Sequence, residues 1–131
     1  MGEEVIQTKL NELIVTAKDD EDVLAVALFG SYARGERQAR DVDVCLIMKS
    51  KSYSNLELSR KGHQYLSKFN FDIHIFQQLP LYIRIRIVKE GKVLFNKSYT
   101  ELFEIYLRAI KEFGHFEKYY NMYLETFENA R

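Results

Sequence analysis

Two short, predominantly apolar runs constrain the fold of this chain more than any other feature of its sequence. The first covers residues 23–29 and ends abruptly at Gly30-Ser31, and the second covers residues 42–48 between polar flanks. Runs of this length with such boundaries are typical of buried strands. No apolar run approaches the roughly 20 residues that a membrane-spanning helix needs. We therefore expect a protein with a buried sheet that does not enter a membrane.

Helices are predicted around these strands from apolar residues at helical spacing and from residues typical of helix ends. The markers are the apolar positions of residues 3–18, the capping boxes Ser54/Glu57 and Ser98/Glu101, and the pair Pro80 and Gly91. The last of these helices is long and rich in aromatic residues. Gly114 lies within it and is expected to kink or divide it.

A third strand is predicted where Phe71–Phe76 alternates between apolar residues and the polar pair Asp72 and His74. Residues 93–95 predict a short edge strand. The mixed order of helices and strands predicts an α+β fold with a small mixed β-sheet. We expect one domain over residues 1–131, with a core of about 1–96 and a C-terminal helix or helix pair over about 98–128.

Charge and cysteine content narrow the classes of partner. Lysine plus arginine and aspartate plus glutamate are both 19, so the net charge is zero. Such a balance predicts no direct nucleic-acid binding and no attraction to an anionic membrane. The single cysteine, Cys45, cannot form an internal disulfide, and no signal peptide is recognisable. The expected location is therefore the cytoplasm.

The first chemical signal is Gly30-Ser31, at the end of the first predicted strand. Glycine permits a sharp turn and a close approach of ligand to backbone. Ser31 is expected to cap a short following helix and to offer its hydroxyl to a phosphate oxygen, beside backbone N–H groups that favour anions. Because Gly-Ser also occurs in many ordinary turns, this pair alone leaves both interpretations open.

The second signal is a set of three aspartates, Asp41, Asp43 and Asp72. Residues two apart on a strand share one face, so Asp41 and Asp43 are expected side by side. Carboxylate oxygens suit Mg²⁺. If the strand that begins with Asp72 lies beside residues 42–48, three acids converge in the arrangement that holds two metals in phosphoryl transfer. The alternatives are a polar turn before a strand and an exposed strand-entry residue.

Taken together, these motifs resemble a known family. The pattern consists of Gly-Ser-Tyr-Ala-Arg-Gly at residues 30–35, nine residues between Ser31 and the Asp-Val-Asp of 41–43, and Phe-Asp-Ile-His-Ile-Phe at 71–76. It resembles the nucleotidyltransferases of the DNA polymerase β superfamily, and within them the minimal nucleotidyltransferase (MNT) family. Residues 79–95 also resemble the tail of MNT antitoxins that are paired with HEPN toxins.

The resemblance implies a polymerase β palm-like fold, ATP as substrate and two Mg²⁺ ions. It implies that Asp41 and Asp43 ligate Mg²⁺ and the triphosphate. It implies that Asp72 ligates the second metal and activates the acceptor hydroxyl. Catalysis would then depend mainly on positioning and charge neutralisation.

The resemblance also implies that Gly30 and Ser31 hold the β- and γ-phosphates. Arg34 and Arg37 lie in the adjoining loop, where they are candidates to steer phosphate or are simply surface charges. The loop departs from the family pattern, since it is one residue shorter and has Arg40 where the family has serine or threonine. The shorter loop predicts a shifted Ser31 hydroxyl, and Arg40 is itself a candidate phosphate ligand.

Four further residues have simpler interpretations. His74 shares a strand face with Asp72, and a half-buried structural histidine is the simpler alternative to contact with substrate. Cys45 is expected in the core. Arg84 and Arg86 are most simply an exposed helix stripe.

The leading hypothesis is a Mg²⁺-dependent nucleotidyltransferase antitoxin that transfers AMP from ATP to a tyrosine of a HEPN-type toxin ribonuclease. One alternative is a non-catalytic antitoxin that binds its partner directly through the C-terminal helix. From Phe95 onward the chain holds ten of its eighteen phenylalanine and tyrosine residues, and aromatic residues are enriched at interfaces, so a homodimer or hetero-oligomer is also expected through this helix. Another alternative is transfer to a small molecule of the aminoglycoside type.

Overall fold

The architecture is taken from a computed structural model that describes residues 2–36 and 41–129, with side chains at 2–36, 41–118, 121–122 and 124–126. Five α-helices and four strands occur in these ranges. In chain order they are α1 (Glu3–Asp19), β1 (Val23–Phe29), α2 (Gly30–Ala33), β2 (Asp43–Met48), α3 (Asn55–Phe69), β3 (Asp72–Ile75), α4 (Leu81–Glu90), β4 (Lys92–Asn96) and α5 (Tyr99–Asn129). A 3₁₀ turn, Phe76–Gln78, joins β3 to α4.

The four strands form one mixed sheet in the order β3-β2-β1-β4. The strand β1 pairs antiparallel with both β2 and β4, whereas β2 and β3 are parallel. A parallel pair needs a crossover, which α3 supplies between β2 and β3. The predicted α+β class, the mixed sheet and the short edge strand near residues 93–95 are confirmed.

Helices cover both faces of the sheet, which explains why its central strands are apolar throughout. One face of β2 packs Val44 and Leu46 among buried residues of α1 and α3. The opposite face packs Cys45 and Ile47 among buried residues of α4 and α5. Cys45 is fully buried, and burial raises the pKa of its thiol, so its assignment to the core is confirmed.

The helix ends follow the sequence markers. Ser54 Oγ accepts a hydrogen bond from Glu57 N at 3.1 Å, and Ser98 Oγ accepts one from Glu101 N at 3.2 Å. Helix α3 ends at Phe69 and is followed by Asn70, whose φ of 56° is the left-handed conformation common just after a helix. This left-handed residue directs the chain from α3 into β3, where Asp72 enters the sheet.

A network of charged groups joins the end of α1 to α3 and to the loop before α5. Lys61 Nζ donates to the Asp20 carboxylate at 2.9 and 3.1 Å, and Tyr65 Oη donates to it at 3.0 Å. Lys97 Nζ donates to the backbone oxygen of Asp20 at 2.6 Å. Burial alone would raise the pKa of Asp20, but hydrogen bonds from Lys61, the Asp22 backbone and Tyr65 outweigh it and lower that pKa. The network thus connects the end of α1, helix α3 and the loop before α5, which are distant from one another in the sequence.

Several boundaries differ from expectation. The second strand begins at Asp43, because Val42 is not paired with a residue of β1. The backbone oxygen of Val42 accepts a hydrogen bond from Asp72 N at 3.1 Å. Phe76 leaves the third strand and begins the 3₁₀ turn. Gly114 does not divide the last helix, which is continuous from Tyr99 to Asn129. None of the helices in the described part of the chain is long and apolar enough to cross a membrane.

Candidate functional site

Two of the three predicted acids meet at one edge of the sheet. Asp43 and Asp72 are the first residues of β2 and β3, and the parallel register places them opposite each other. The Asp72 N to Val42 O hydrogen bond of 3.1 Å extends that pairing by one residue and fixes the register. Asp43 is partly buried and Asp72 is exposed, so the pair opens to solvent on one side. The condition set by the sequence, that the strand of Asp72 lies beside residues 42–48, is fulfilled.

His74 adds a nitrogen donor to this pair. Its Nε2 atom lies 3.3 Å from Asp43 Oδ1, and its ring packs edge-on against Phe29 with centroids 5.2 Å apart. One ligand atom from each of Asp43, Asp72 and His74 lies within 4.8 Å of the other two. The sequence carried this signal, because His74 follows Asp72 by two residues on an alternating strand. His74 is half-buried and hydrogen-bonded to Asp43, which agrees with the expected half-buried histidine, and the same contact places it in the acid cluster.

Gly30 stands directly against the carboxylate of Asp43. Its φ is +78°, a conformation that favours glycine. A methyl group on Gly30 would overlap Asp43 Oδ2 and would lie 3.2 Å from Asp43 Cγ. Glycine therefore meets two requirements at position 30: it adopts a positive φ, and it has no side chain that would overlap the Asp43 carboxylate. The strand-Gly-Ser turn is thus built around the position of Asp43.

Ser31 does not cap the short helix as expected. The helix α2 begins at Gly30, its cap position is Phe29, and no side chain bonds to its first turn. Ser31 is therefore the second residue of the helix. Its hydroxyl is half-buried and makes no hydrogen bond to any other described residue, so it is available to a ligand.

Asp41 is not part of the cluster. It is exposed and precedes β2, so the rule that alternate strand residues share a face does not place it beside Asp43. Arg34 turns toward acids, with Nε 3.2 Å from Glu36 Oε1 and Nη1 3.9 Å from Glu90 Oε2. Arg37 and Arg40, the other predicted phosphate contacts, lie outside the described residues.

The donor set decides which cofactor can bind. Two carboxylates in parallel register repel each other, and a divalent cation relieves that repulsion. Asp43 and Asp72 supply the oxygen ligands that Mg²⁺ prefers, together with substrate phosphates. The imidazole of His74 additionally suits metals such as Zn²⁺. The residues present fit a divalent metal site that lies beside Gly30.

Comparison with known proteins identifies relatives in sequence. The chain matches the family described as polymerase beta nucleotidyltransferase over residues 11–100. It is 36% identical over 97 residues to a protein of Methanocaldococcus jannaschii named as a protein adenylyltransferase. That match covers 73% of this chain and 74% of the archaeal protein. The family match over residues 11–100 contains Gly30, Asp43, Asp72 and His74, so the site lies within the part of the chain that matches the family.

Solved structures share the fold at lower sequence identity. One is a tri-AMPylated Shewanella oneidensis HEPN toxin in complex with an MNT antitoxin, with a TM-score of 0.64, 17% identity and coverage of 92% of this chain and 97% of that chain. Another is a toxin–antitoxin pair with AMP-PNP, with a TM-score of 0.63, 18% identity and coverage of 91% and 95%. The expected nucleotidyltransferase fold is confirmed by these similarities.

Proposed function

This chain belongs to the polymerase β nucleotidyltransferase family, and on that premise we propose that it transfers AMP from ATP to a partner protein. The partner is a HEPN-type toxin, the acceptor is a tyrosine hydroxyl, and this chain acts as its antitoxin. The archaeal relative is named as a protein adenylyltransferase, which supports a protein acceptor. The shared fold with an MNT antitoxin bound to an AMPylated HEPN toxin supports the class of partner.

The observation that carries this proposal is the register of Asp43 against Asp72 beside Gly30. Transfer of AMP forms a bond from the acceptor oxygen to the α-phosphorus of ATP and breaks the bond to pyrophosphate. A carboxylate within reach of the acceptor can take the hydroxyl proton. Asp72 is the more exposed of the pair, so we propose that it accepts the proton of the acceptor hydroxyl. We propose that Asp43 lies on the side of the site where the nucleotide binds.

Asp43, Asp72 and His74 would ligate divalent metal. We propose that the metal is Mg²⁺ and that two ions bind. When bound, the metal neutralises charge on the triphosphate. Asp41 is exposed one residue before Val42, and we propose that it joins the metal only in the nucleotide-bound enzyme. Gly30 and the Ser31 hydroxyl would contact the β- and γ-phosphates, with Arg34 and Arg40 beside them. We treat residues 1–131 as one nucleotidyltransferase domain.

The test is label transfer to a co-purified partner in the presence of ATP and Mg²⁺, measured by intact mass. We expect the partner to gain one or more AMP units with the wild-type chain. Asp43→Asn and Asp72→Asn should reduce the transfer rate at least a hundredfold, because each removes a charge that the transition state requires. Asp19→Asn is the matched control, since Asp19 is an exposed acid at the end of α1.

A non-catalytic antitoxin is the second candidate, and exposed apolar residues on α5 favour it. Phe103, Ile110 and Met122 are exposed to 64%, 47% and 52%. Side chains of this kind are enriched at protein interfaces. A stable complex whose partner gains no mass, with Asp43→Asn neutralising the toxin as well as wild type, would favour this candidate. Label on an added aminoglycoside and none on the partner would instead favour a small-molecule acceptor.

A further inference from the structure

A second concave site lies at the opposite end of β2. We name it the basic cavity and define it by Lys49, Lys51, Gln77, Arg84 and Arg108. Its volume is about 410 Å³. Lys49 follows β2 directly, whereas Asp43 begins it, and at about 3.3 Å per residue the two ends are roughly 20 Å apart. The basic cavity is therefore separate from the site of Asp43 and Asp72.

All four charged residues that line the basic cavity are cations. Arg84 is not the exposed stripe residue that the sequence suggested, because its Nη1 lies 3.3 Å from Glu112 Oε2 and its Nε donates to Leu79 O at 3.0 Å. Lys51 pairs with Asp22 at 2.6 Å. These two cations are partly neutralised by acids outside the cavity.

Lys49 and Arg108 keep their charge uncompensated. Neither has a carboxylate within 4.0 Å among the described residues. The effect of Lys49 extends to its neighbour Lys97, whose pKa is lowered first by burial and then by repulsion from Lys49. Two unpaired cations at the rim of one concave site create a local positive potential that attracts anions.

The walls of the basic cavity are held in place by hydrogen bonds. The Gln77 amide accepts from Met48 N at 3.2 Å and donates to Met48 O at 2.9 Å, which extends the sheet beyond the end of β3. Ser50 N donates to Glu101 Oε1 at 2.9 Å, which ties the segment after β2 to α5. A site whose backbone is already ordered loses less entropy when a ligand binds.

From this combination we infer that the basic cavity binds a small phosphorylated anion of nucleotide size. Lysine and arginine are the side chains that bind phosphate through charge-assisted hydrogen bonds. The volume falls within the range of small-molecule pockets, and Phe76 and Ile105 supply an apolar wall. The inference is independent of the proposed AMP transfer, because none of these residues belongs to the metal cluster.

The test uses the full chain in EDTA, so that no divalent metal promotes binding at Asp43. ATP, inorganic triphosphate and adenosine are titrated separately by calorimetry and by amide NMR. ATP and triphosphate should bind saturably, more weakly at higher salt, and should shift the amide signals of Lys49, Ser50 and Gln77. Adenosine should not bind. Shifts centred on Gly30 and Asp43, or equal binding of adenosine, would overturn the inference.

Variants sharpen the result. The double change K49A/R108A should weaken triphosphate binding at least tenfold, because it removes both unpaired cations. Neither side chain makes a hydrogen bond to the described residues, so the variant is expected to fold. R60A/R86A is the matched control, since it also removes two cations, which are exposed on α3 and α4 and lie outside the cavity, and it should change the affinity less than twofold. An equal loss in R60A/R86A and K49A/R108A would show that only net charge matters and would refute a specific site.

Discussion

Replacing Gly30 with alanine tests two properties of the first residue of α2, its positive φ and its close contact with the Asp43 carboxylate. Gly30 has a φ of +78°, and a methyl group there would overlap Asp43 Oδ2. Gly35 provides the comparison within the same chain, because its φ is +76° while a methyl group on it would meet no atom within 4 Å. The two substitutions thus impose the same backbone strain, and only Gly30→Ala also displaces the acid.

The expected magnitudes follow from these contacts. A left-handed φ costs an alanine about 1–2 kcal/mol, which is the whole expected loss of unfolding free energy for Gly35→Ala. In Gly30→Ala the Asp43 side chain must also leave its rotamer, which adds about 1 kcal/mol. Since a displacement of about 1 Å in a catalytic group can cost a hundredfold, the AMP-transfer rate should fall by about that factor in Gly30→Ala. Gly35→Ala should lose less than fivefold.

Urea denaturation measures the first quantity, and label transfer to the partner measures the second. Both variants should remain folded, because the losses are smaller than the usual 5–15 kcal/mol of domain stability. Equal transfer rates in the two variants would refute the claim that a glycine is required at position 30 to leave room for the Asp43 carboxylate. A stability loss confined to Gly35→Ala would refute the steric argument as well.

Three other predictions concern the core and the metal site. Because the folded-state pKa of Asp20 is lowered from its ordinary value of 3.8, the stability it contributes is present above that value and lost as the pH falls through the folded-state pKa. Asp20→Asn should therefore cost about 2 kcal/mol at pH 7 and progressively less as the pH falls below 3.8, which urea titrations at pH 7 and at a series of acidic pH values would measure. Cys45 should not react with a thiol reagent in the native protein at pH 8, since it is buried and its pKa is raised, and rapid labelling without denaturant would contradict its placement. His74→Ala should weaken Zn²⁺ binding at least tenfold in calorimetry and Mg²⁺ binding less, because imidazole suits Zn²⁺ whereas Mg²⁺ prefers oxygen ligands; unchanged Zn²⁺ binding in this variant would remove His74 from the ligand set.

Much of the fold could be predicted because local chemistry determined it. The apolar run Val23–Phe29 could only be buried, and Ser54 and Ser98 both cap helices where the sequence placed them. The alternation of Asp72 and His74 also predicted that both lie on one face of a strand. In each case the deciding interactions lie within a few residues of one another in the chain, so their spacing is visible in the sequence.

The predicted site was less complete, because strand boundaries depend on pairing. Asp41 and Asp43 were expected on one strand face, but pairing of β2 with β1 begins at Asp43 opposite Phe29 and leaves Asp41 outside. Ser31 was expected as a helix cap, but the cap position is Phe29 and α2 begins two residues earlier than that expectation. Shifts of one or two residues of this kind depend on partners more than ten residues away, and local pattern does not report them.

By itself, the sequence determined that a glycine-serine turn and acidic residues stand at the ends of buried strands, because these features depend on residue type and spacing. Only the tertiary structure decided that Asp43 faces Asp72, that His74 joins them and that four cations surround the far end of β2. The reason is physical: contacts between strands and helices distant in sequence are set by register and by packing on the two faces of the sheet, which no single segment specifies.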